Sequence, residues 1–299
     1  MEQKERNVEK VGIILRPQST HIKPIFLEIQ KKLEKADIQV MLESSSAKML
    51  DLESIESYDM QYLCKHVDML FSIGGDGTLL SVANQSYGSN VPILGINSGR
   101  LGYLTIALPH EIDNLIPRIK HGEYSINKHL MLEGYVKKSD IQENRGLEIP
   151  QPFVALNEFL LSRAGVSGML EIEASIEGVL FNHYRLDGLL VATPTGSSAY
   201  NVSAGGSLVY PNCRNVLLTP ICAHSLTQRP LILDDSFIIE LKFKNVGTLI
   251  CDGQQRISMP KDSVICIKTA EHNAHLVELT PNFYFMRLRE KLGWGQIES

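Results

Sequence analysis

Residues 68–78 read DMLFSIGGDGT, a largely apolar run that ends in a cluster of glycines. The run from Met69 to Ile73 is typical of a strand buried on both faces of a parallel sheet. A helix is predicted to follow from Leu79 to about Gln85, so the glycines form a strand-to-helix turn. Open α/β sheets bind ligands at such turns, outside the carboxyl ends of their strands.

This turn combines groups that favour a phosphate with one group that repels it. Gly74, Gly75 and Gly77 lack Cβ atoms, so their backbone can adopt positive φ and approach a ligand closely. The start of the following helix favours an anion, whereas the carboxylate of Asp76 repels one. The conflict is relieved if Asp76 binds a Mg²⁺ ion that bridges to phosphates, or if it faces an attacking hydroxyl. The simpler alternative is that Asp76 only caps the helix.

On both sides of the turn, short apolar runs alternate with stretches of helical periodicity. Strands are predicted at residues 11–15, 38–42 and 91–96. Between the first two, apolar residues recur at helical spacing from Ile22 to Leu33. Strands and helices in alternation favour a parallel sheet that is covered by helices on both faces.

The hydrophobic period changes further along the chain, across residues 107–130. Apolar and polar residues alternate at residues 170–176 and again at 237–243. This period of two is typical of half-exposed, antiparallel strands. A final helix is predicted from the apolar spacing between Phe285 and Leu292. The fold class is therefore α/β plus β, with an α/β domain followed by a β-rich domain.

The composition excludes several classes of protein. The 299 residues carry 29 Lys and Arg against 34 Asp and Glu, a net charge of -5, which leaves no basic excess to neutralise a nucleic acid. No apolar stretch approaches the roughly 18 residues of a spanning helix, and the first ten residues lack the apolar segment of a signal peptide. The cysteines form a scattered set without a CxxC pair, which predicts reduced thiols in a cytoplasmic protein. They are Cys64, Cys213, Cys222, Cys251 and Cys266.

Two smaller clusters place polar side chains beside predicted strands. Asn97 directly follows the strand at residues 91–96, where it either binds a ligand or satisfies a turn. Arg100 either approaches a phosphate or stays solvated. Asn157 and Glu158 offer an amide and a carboxylate that can bind ribose hydroxyls, although surface polarity is the simpler explanation.

The richest cluster lies at residues 185–200, where a strand leads into a loop of small residues. The loop carries four hydroxyl side chains and a tyrosine, which adds an aromatic face with a polar tip. They are Thr193, Thr195, Ser197, Ser198 and Tyr200. Pro194 restricts the conformation of the loop, and loops of this kind on a rigid scaffold more often bind a ligand than merely connect two elements. The alternative is a flexible connection.

Taken in chain order, these motifs resemble those of the bacterial NAD kinases, which transfer the terminal phosphate of ATP to the 2′-hydroxyl of the adenosine ribose of NAD. The resemblance rests on GGDGT at 74–78, NSGRLGYL at 97–104, Asn157–Glu158, Asp187–Gly188, TPTGSSAY at 193–200 and CDGQ at 251–254. The first motif alone is shared with diacylglycerol and sphingosine kinases, whereas TPTGSSAY is far more restrictive. A lipid kinase and a non-catalytic NAD-binding module therefore remain as alternatives.

The resemblance implies roles for particular residues. Asp76 would act on the 2′-hydroxyl as a general base or an orienting group. NAD would be bound by Asp76, Gly77, Asn157, Glu158, Arg185, Asp187, Thr195, Ser198, Ala199, Tyr200, Ser203 and Gln254. The phosphates of ATP would be bound by Gly74, Gly75, Gly77, Thr78, Asn97 and Arg100. Mg²⁺ or another divalent ion would be carried with the ATP, so no metal-ligating residue is assigned.

The same resemblance implies an organisation and a setting. A Rossmann-like α/β domain with a parallel sheet is expected at residues 1–125, and a β-rich, sandwich-like, NAD-binding domain at 126–277. Residues 278–299 would return to pack on the first domain. The expected partners are NAD and ATP, without nucleic acid or membrane, and the expected assembly is a cytoplasmic homodimer or homotetramer. Residues 141–150 look like a polar insertion with no assigned role.

Overall fold

The computed structural model describes residues 7–52, 56–99, 102–137, 152–165, 168–280 and 283–294. Arg100 and the insertion at residues 141–150 lie outside the described residues. The chain divides into two compact units, called here unit 1 (Met1–Lys128 with Ala274–Ser299) and unit 2 (His129–Asn273). The domain limits at 125 and 277 that the sequence suggests stay predictions.

The chain begins with alternating strands and helices and continues mostly as strands. The first elements are β1 (Lys10–Leu15), α1 (Lys23–Lys35), β2 (Gln39–Glu43), α2 (Ser44–Met49), β3 (Ser57–Tyr58), α3 (Met60–His66), β4 (Met69–Gly74), α4 (Asp76–Gln85), β5 (Ile93–Asn97), α5 (Ile112–Lys120) and β6 (Ser125–His129). The next are β7 (Leu132–Val136), β8 (Phe153–Ala155), β9 (Glu158–Arg163), β10 (Leu170–Ile176), β11 (Val179–Leu186), β12 (Gly188–Ala192), α6 (Tyr200–Ser203) and β13 (Asn215–Ile221). The last are β14 (Leu231–Asp234), β15 (Ile239–Phe243), β16 (Gly247–Cys251), β17 (Gln255–Met259), β18 (Val264–Thr269), β19 (Ala274–Glu278) and α7 (Phe283–Leu292).

Among the described residues, unit 1 is built on a seven-stranded sheet with the order β3-β2-β1-β4-β5-β19-β6. Neighbouring strands from β3 to β19 pair in parallel, which confirms the predicted parallel sheet. The strand order reverses direction between β1 and β4. At such a switch point the helices that follow the two strands cover opposite faces, which leaves a crevice beyond the strand ends.

The glycine-rich turn connects two well-packed elements of this sheet. All six residues of β4 are buried, as its apolar sequence predicts. The helix after it begins at Asp76 rather than at Leu79, because the N–H groups of Thr78 and Leu79 already donate to the carbonyl of Gly75. The turn between β4 and α4 is therefore shorter than the sequence suggests.

The C-terminal part of the chain returns to unit 1, as predicted. β19 lies between β5 and β6, with Leu276 opposite Ile93, and α7 follows it. Val277 belongs to the same apolar core as Ile13 and Phe71. The returning segment thus completes the sheet with a strand in addition to contributing a helix.

Unit 2 contains two antiparallel sheets of six described strands each, with the orders β11-β10-β15-β18-β7-β8 and β14-β13-β12-β9-β16-β17. In β10, Leu170, Ile172 and Ala174 are buried and alternate with half-exposed side chains, as predicted. Side chains from both sheets, such as Ile172 and Leu189, form one core, so the unit is sandwich-like. The alternating run at 237–243 becomes a strand only at Ile239, because its start closes a turn with Asp234.

No helix within the described ranges combines the length and the apolar character needed to cross a membrane.

Adjacent residues of α1 offer a test of its buried face. Phe26 is fully buried, whereas Leu27 is 43% exposed. Phe26→Ala should lower the free energy of unfolding by about 3–5 kcal/mol because it empties a packed site, and Leu27→Ala should change it by about 0.5 kcal/mol. Urea titration followed by circular dichroism measures both values. Equal losses in the two variants would contradict the assigned face.

Candidate functional site

A cavity of about 460 Å³ opens in unit 1 at the carboxyl ends of β1, β4 and β5. It is lined by residues that follow each of these three strands. They are Arg16, His21, Gly74, Gly75, Asp76, Asn97, Ser98, Gly99 and Gly102. The cavity therefore occupies the switch point of the sheet, and its volume lies in the range of roughly 300–1,000 Å³ found for small-molecule sites.

The glycines of the turn permit close packing rather than an unusual backbone conformation. None of Gly74, Gly75 and Gly77 has positive φ, so the turn does not use the left-handed backbone that glycine permits. Gly75 is extended, with φ of -127°, and leads directly from strand to helix. A Cβ added at Gly74 would lie 2.2 Å from Oγ1 of the buried Thr78. The first turn of α4 thus packs against the end of β4 with no room for a side chain.

Asp76 is held by the loop that follows β5. The cap of α4 is Gly75, so the interpretation of Asp76 as a helix cap is wrong. Its Oδ2 accepts a hydrogen bond from the backbone N–H of Tyr103 at 2.7 Å. Its Oδ1 accepts from the N–H groups of Leu104 and Thr105 at 3.2 and 3.1 Å, and from the Thr105 hydroxyl at 3.2 Å.

These donors fix the Asp76 carboxylate and still leave it an acceptor position. Oδ1 receives three hydrogens and Oδ2 receives one. Each carboxylate oxygen has two lone pairs, so Oδ2 can accept one further hydrogen, such as that of a hydroxyl group in the cavity. The same donors offset the negative charge of Asp76 and reduce its repulsion of a neighbouring phosphate.

Thr105 connects Asp76 to Asn97. Its Oγ1 accepts hydrogen bonds from the side-chain amide of Asn97 at 3.1 Å and from the N–H of Gly102 at 3.0 Å. Oδ1 of Asn97 accepts from the N–H of Gly99 at 2.8 Å. The buried Asn97 amide thus stabilises the loop, which favours its turn interpretation.

Sequence reasoning missed two residues that hold the Asp76 loop in place, Gly102 and Thr105. A Cβ at Gly102 would lie 2.0 Å from Oδ1 of Asp76, so the loop can approach the carboxylate only with glycine there. The signal for Gly102 was its place in the NSGRLGYL motif. Thr105 lies one residue beyond that motif, and no pattern in the sequence indicates it.

In unit 2, a second carboxylate organises Asn157 and Glu158. Asp252 accepts hydrogen bonds from the N–H groups of Leu156, Asn157 and Glu158 at 2.8, 2.8 and 3.0 Å. Asp252 begins the turn between β16 and β17 and has positive φ of 47°. Asn157 and Glu158 are 9% and 8% exposed, so surface polarity is the wrong explanation for this pair. Asp252 was missed as a site residue although it stands in the CDGQ motif.

The loop at residues 193–198 is anchored to the same segment. Thr193 donates its hydroxyl to the carbonyl of Leu156 at 2.6 Å and its N–H to that of Asn157 at 2.8 Å. A Cβ at Gly196 would lie 2.1 Å from the carbonyl oxygen of Asn157, so only glycine fits. These contacts argue against a flexible connection.

Thr195 in this loop contacts a buried histidine that sequence reasoning missed. Nδ1 of His129 lies 2.8 Å from Oγ1 of Thr195. Burial lowers the pKa of His129 to about 4, so its imidazole is neutral at physiological pH. The Thr195 hydroxyl is therefore positioned by a hydrogen bond and not by an ion.

Glu158 has the most perturbed carboxyl group of unit 2. Burial, followed by the negative charge of Asp252, raises the pKa of Glu158 to about 8 from its usual 4.5. At neutral pH the group is mostly protonated and can donate a hydrogen bond. Its Oε2 is buried and has no partner among the described residues. Because buried polar atoms are normally hydrogen-bonded, Glu158 is a strong candidate for a ligand contact.

Arg185 and Asp187 lie in unit 2 and each has an ion-pair partner. Nε of Arg185 is 3.3 Å from Oε1 of Glu171, which stands opposite it on β10. Oδ1 of Asp187 is 3.7 Å from Nη1 of Arg163. Both pairs are partly exposed, so a ligand can compete for either side chain.

The remaining predicted NAD contacts differ in exposure. Ser198 donates its hydroxyl to the carbonyl of Thr195, three residues earlier. Two of these residues are half-buried, Ser198 and Ala199, and three are exposed, Tyr200, Ser203 and Gln254. Tyr200 begins α6 with 44% of its surface accessible, which leaves a ring face available for stacking.

The described residues contain no group of three or more His, Cys, Asp or Glu side chains that could hold a metal ion. The carboxylate of Asp76 accepts four hydrogen bonds from the chain and keeps one acceptor position on Oδ2.

The parallel sheet, its switch-point cavity and the fixed carboxylate at a glycine-rich turn define a nucleotide-binding α/β enzyme joined to a β-sandwich unit. Two family models match the chain. The model described as ATP-NAD kinase N-terminal domain matches residues 11–124, and that described as ATP-NAD kinase C-terminal domain matches residues 156–279. The chain therefore belongs to the NAD kinase family.

Individual relatives agree with this assignment. The chain is 46% identical to an NAD kinase of Wolinella succinogenes and 42% identical to one of Helicobacter hepaticus, with 97% of each chain covered in both cases. Yeast NADH kinase, solved in complex with NADH, superimposes with a TM-score of 0.87 at 25% identity, covering 98% of this chain and 90% of that one. An NAD kinase from Archaeoglobus fulgidus, at 24% identity and a TM-score of 0.73, shares the fold over 95% of this chain and 98% of its own.

The contact between Gly102 and Asp76 can be tested by adding one methyl group. Gly102→Ala should lower the free energy of unfolding by about 1–3 kcal/mol, because the new Cβ overpacks the carboxylate and displaces the loop. Gly165→Ala is the control, since a Cβ there meets nothing within 4 Å. Urea titration measures both, and a Gly102→Ala curve that overlays the control would contradict the close approach.

The raised pKa of Glu158 predicts a pH dependence of stability. The Glu158 carboxyl group binds its proton more tightly in the folded state, where its pKa is about 8, than in the unfolded state, where its pKa is near 4.5. The free energy of unfolding therefore falls as the pH rises from the lower to the higher of these values. Glu158→Gln removes this effect. Between pH 5 and pH 8, the free energy of unfolding of the wild type should therefore fall by at least about 1 kcal/mol more than that of the variant.

The measurement is the free energy of unfolding at pH 5, 6.5 and 8. The exposed Glu123 provides the matched control, because Glu123→Gln makes the same chemical change at the surface of unit 1. Parallel curves for the wild type and Glu158→Gln would show that the Glu158 carboxyl is ionised throughout.

Proposed function

We propose that this member of the NAD kinase family transfers the terminal phosphate of ATP to the 2′-hydroxyl of the adenosine ribose of NAD, giving NADP and ADP. One observation carries the proposal: the Asp76 carboxylate is fixed beside the cavity and keeps an acceptor position on Oδ2. The names of the relatives and the dinucleotide in yeast NADH kinase support NAD as the acceptor. The name of the matching family supports ATP as the donor.

In this reaction, Asp76 orients the 2′-hydroxyl and receives its proton. A secondary hydroxyl is a weak nucleophile and the transferred phosphoryl group is negative, so catalysis must position both groups and accept a proton. The acceptor position on Oδ2 suits the hydroxyl hydrogen. Because a carboxylate is a weak base, the proton moves late, once the new P–O bond has formed.

The phosphates of ATP are assigned to the glycine-rich turn. Gly75 and Gly77 leave backbone accessible next to the buried Gly74 at the start of α4, where N–H groups and the helix dipole favour an anion. Thr78 and Asn97 support this site by packing and by holding the loop, since both are buried and engaged within unit 1. Arg100 remains a proposed phosphate contact.

Within unit 2, contacts to NAD are assigned to the polar cluster around Asn157 and Glu158. The unpartnered Oε2 of Glu158 supports a hydrogen bond to a ribose hydroxyl or to the adenine. The exposed ring of Tyr200 supports stacking on a base. The other proposed contacts are Asn157, Arg185, Asp187, Thr195, Ser198, Ala199, Ser203 and Gln254.

Mg²⁺ is proposed as a companion of ATP. When bound to the nucleotide, the ion neutralises charge on the phosphates during transfer. The lining of the cavity supports this role for a nucleotide-borne ion, because Asp76 is engaged by N–H donors. The proton acceptor and the orientation of the hydroxyl are contributions of the chain itself.

The proposed assembly is a homodimer or homotetramer in the cytoplasm. Two edge strands of unit 2 support association, because β11 exposes Val179 and Leu180 and β14 exposes Ile232. All five cysteines are free, which supports a reducing compartment. Light scattering of the purified protein measures the oligomeric state.

The test of the function combines an assay with one substitution. Purified protein is incubated with ATP, Mg²⁺ and NAD, and NADP is read with an NADP-specific dehydrogenase. Asp76→Asn should lower kcat at least about a hundred-fold, as loss of a general base does, while NAD binding stays measurable. Asp68→Asn is the matched control, because Asp68 also accepts backbone N–H bonds, from Glu9 and Lys10, but does not line the cavity.

Full activity of Asp76→Asn would refute its role as base. Wild-type protein that phosphorylates diacylglycerol or sphingosine instead of NAD would favour a lipid kinase. Tight NAD binding without product would favour a non-catalytic module.

A further inference from the structure

The cavity of unit 1 contains two basic side chains that neither the family motifs nor the mechanism above uses. Arg16 directly follows β1, and His21 lies in the 3-10 turn before α1. Both line the cavity together with Gly74, Gly75 and Asp76, and both are exposed. Among the described residues, neither side chain has an ion-pair or hydrogen-bond partner.

The backbone of Arg16 is fixed at the switch point of the sheet. Its N–H donates to the carbonyl of Ile73 in β4 at 2.9 Å. The Cβ that Gly74 lacks would lie 3.0 Å from Cβ of Arg16, so the base of the arginine side chain lies against the end of β4. Arg16 thus combines a fixed backbone with a guanidinium that is available to a ligand.

The charged groups that line the cavity indicate what kind of ligand the Arg16 guanidinium would bind. Besides Arg16 and His21, the lining consists of glycines, Asn97, Ser98 and the carboxylate of Asp76. A polyphosphate that entered beside Asp76 would need positive charge from the protein. A guanidinium supplies it in the geometry that matches phosphate oxygens, through two parallel N–H donors.

We propose that Arg16, with His21 as a second and weaker contact, binds the polyphosphate chain of the phosphoryl donor. The identity of the donor rests on the function proposed above. Arg16 lies across the crevice of the switch point from α4, since the two follow β1 and β4 respectively. The donor's phosphates are therefore held from both strand ends, while Oδ2 of Asp76 stays available to the acceptor hydroxyl.

The experiment compares Arg16→Gln, Arg16→Lys and Lys31→Gln. Lys31 is an exposed cation on α1 that does not line the cavity, so its variant removes the same charge elsewhere. Binding of inorganic tripolyphosphate and of ATP is measured by titration calorimetry. Steady-state kinetics give KM for ATP and for NAD, and thermal unfolding confirms that each variant is folded.

Arg16→Gln should weaken tripolyphosphate and ATP binding about ten-fold, the size of one charge-assisted hydrogen bond, and change KM for NAD less than about two-fold. Arg16→Lys should recover part of the loss, because it keeps the charge but not the paired donors. Lys31→Gln should match the wild type.

Two results would overturn the inference. The first is an Arg16→Gln variant that binds tripolyphosphate as tightly as Lys31→Gln does. The second is an Arg16→Gln variant that loses affinity for NAD as strongly as for ATP. The proposed function fails separately, if the wild type forms no NADP. Tripolyphosphate binding still tests Arg16 in that case, because it needs no turnover.

Discussion

The cavity of unit 1 depends on the interaction between the Asp76 carboxylate and the successive N–H groups of residues 103–105. Hydrogen bonds to a charged acceptor are stronger than neutral ones, and three from consecutive residues fix both position and orientation. The interaction joins the first turn of α4 to the loop after β5, on neighbouring strands of the sheet. Without it, the loop would separate from the turn and Asp76 would rotate freely. The direction in which Oδ2 faces is therefore a property of the fold.

Unit 2 uses the same device at a different place. Asp252 binds the consecutive N–H groups of residues 156–158, as Asp76 binds those of 103–105. In both cases a carboxylate at one end of a strand-to-helix or strand-to-strand connection satisfies backbone donors of a distant segment and fixes that segment in place. The consequence differs, because in unit 2 the negative charge of Asp252 helps to raise the pKa of Glu158. The Asp252 carboxylate thereby helps to keep the Glu158 carboxyl group protonated and able to donate a hydrogen bond.

The pattern of the sequence predicts the fold well because burial follows periodicity. The runs at β1, β4 and β5 and the alternation in β10 all appear as predicted. The sequence did not show why glycine is needed at position 74, where a Cβ would collide with the Thr78 side chain although φ is not positive. Thr105, Asp252 and His129 went unnoticed because their roles come from contacts between distant segments. Periodicity reports which face is buried, and it carries no information on such contacts.

The net charge of -5 acquires a physical meaning in this arrangement. A polyanion that approaches an acidic protein must find its positive potential locally, because the total field repels it. In the proposed reaction, Asp76 adds a negative charge close to the transferred phosphate, and three backbone dipoles reduce its effect there. The same carboxylate must retain enough charge to attract the hydrogen of a hydroxyl. A carboxylate bound to N–H groups satisfies both demands, since the donors lower its field at the phosphate but leave one lone pair of Oδ2 accessible.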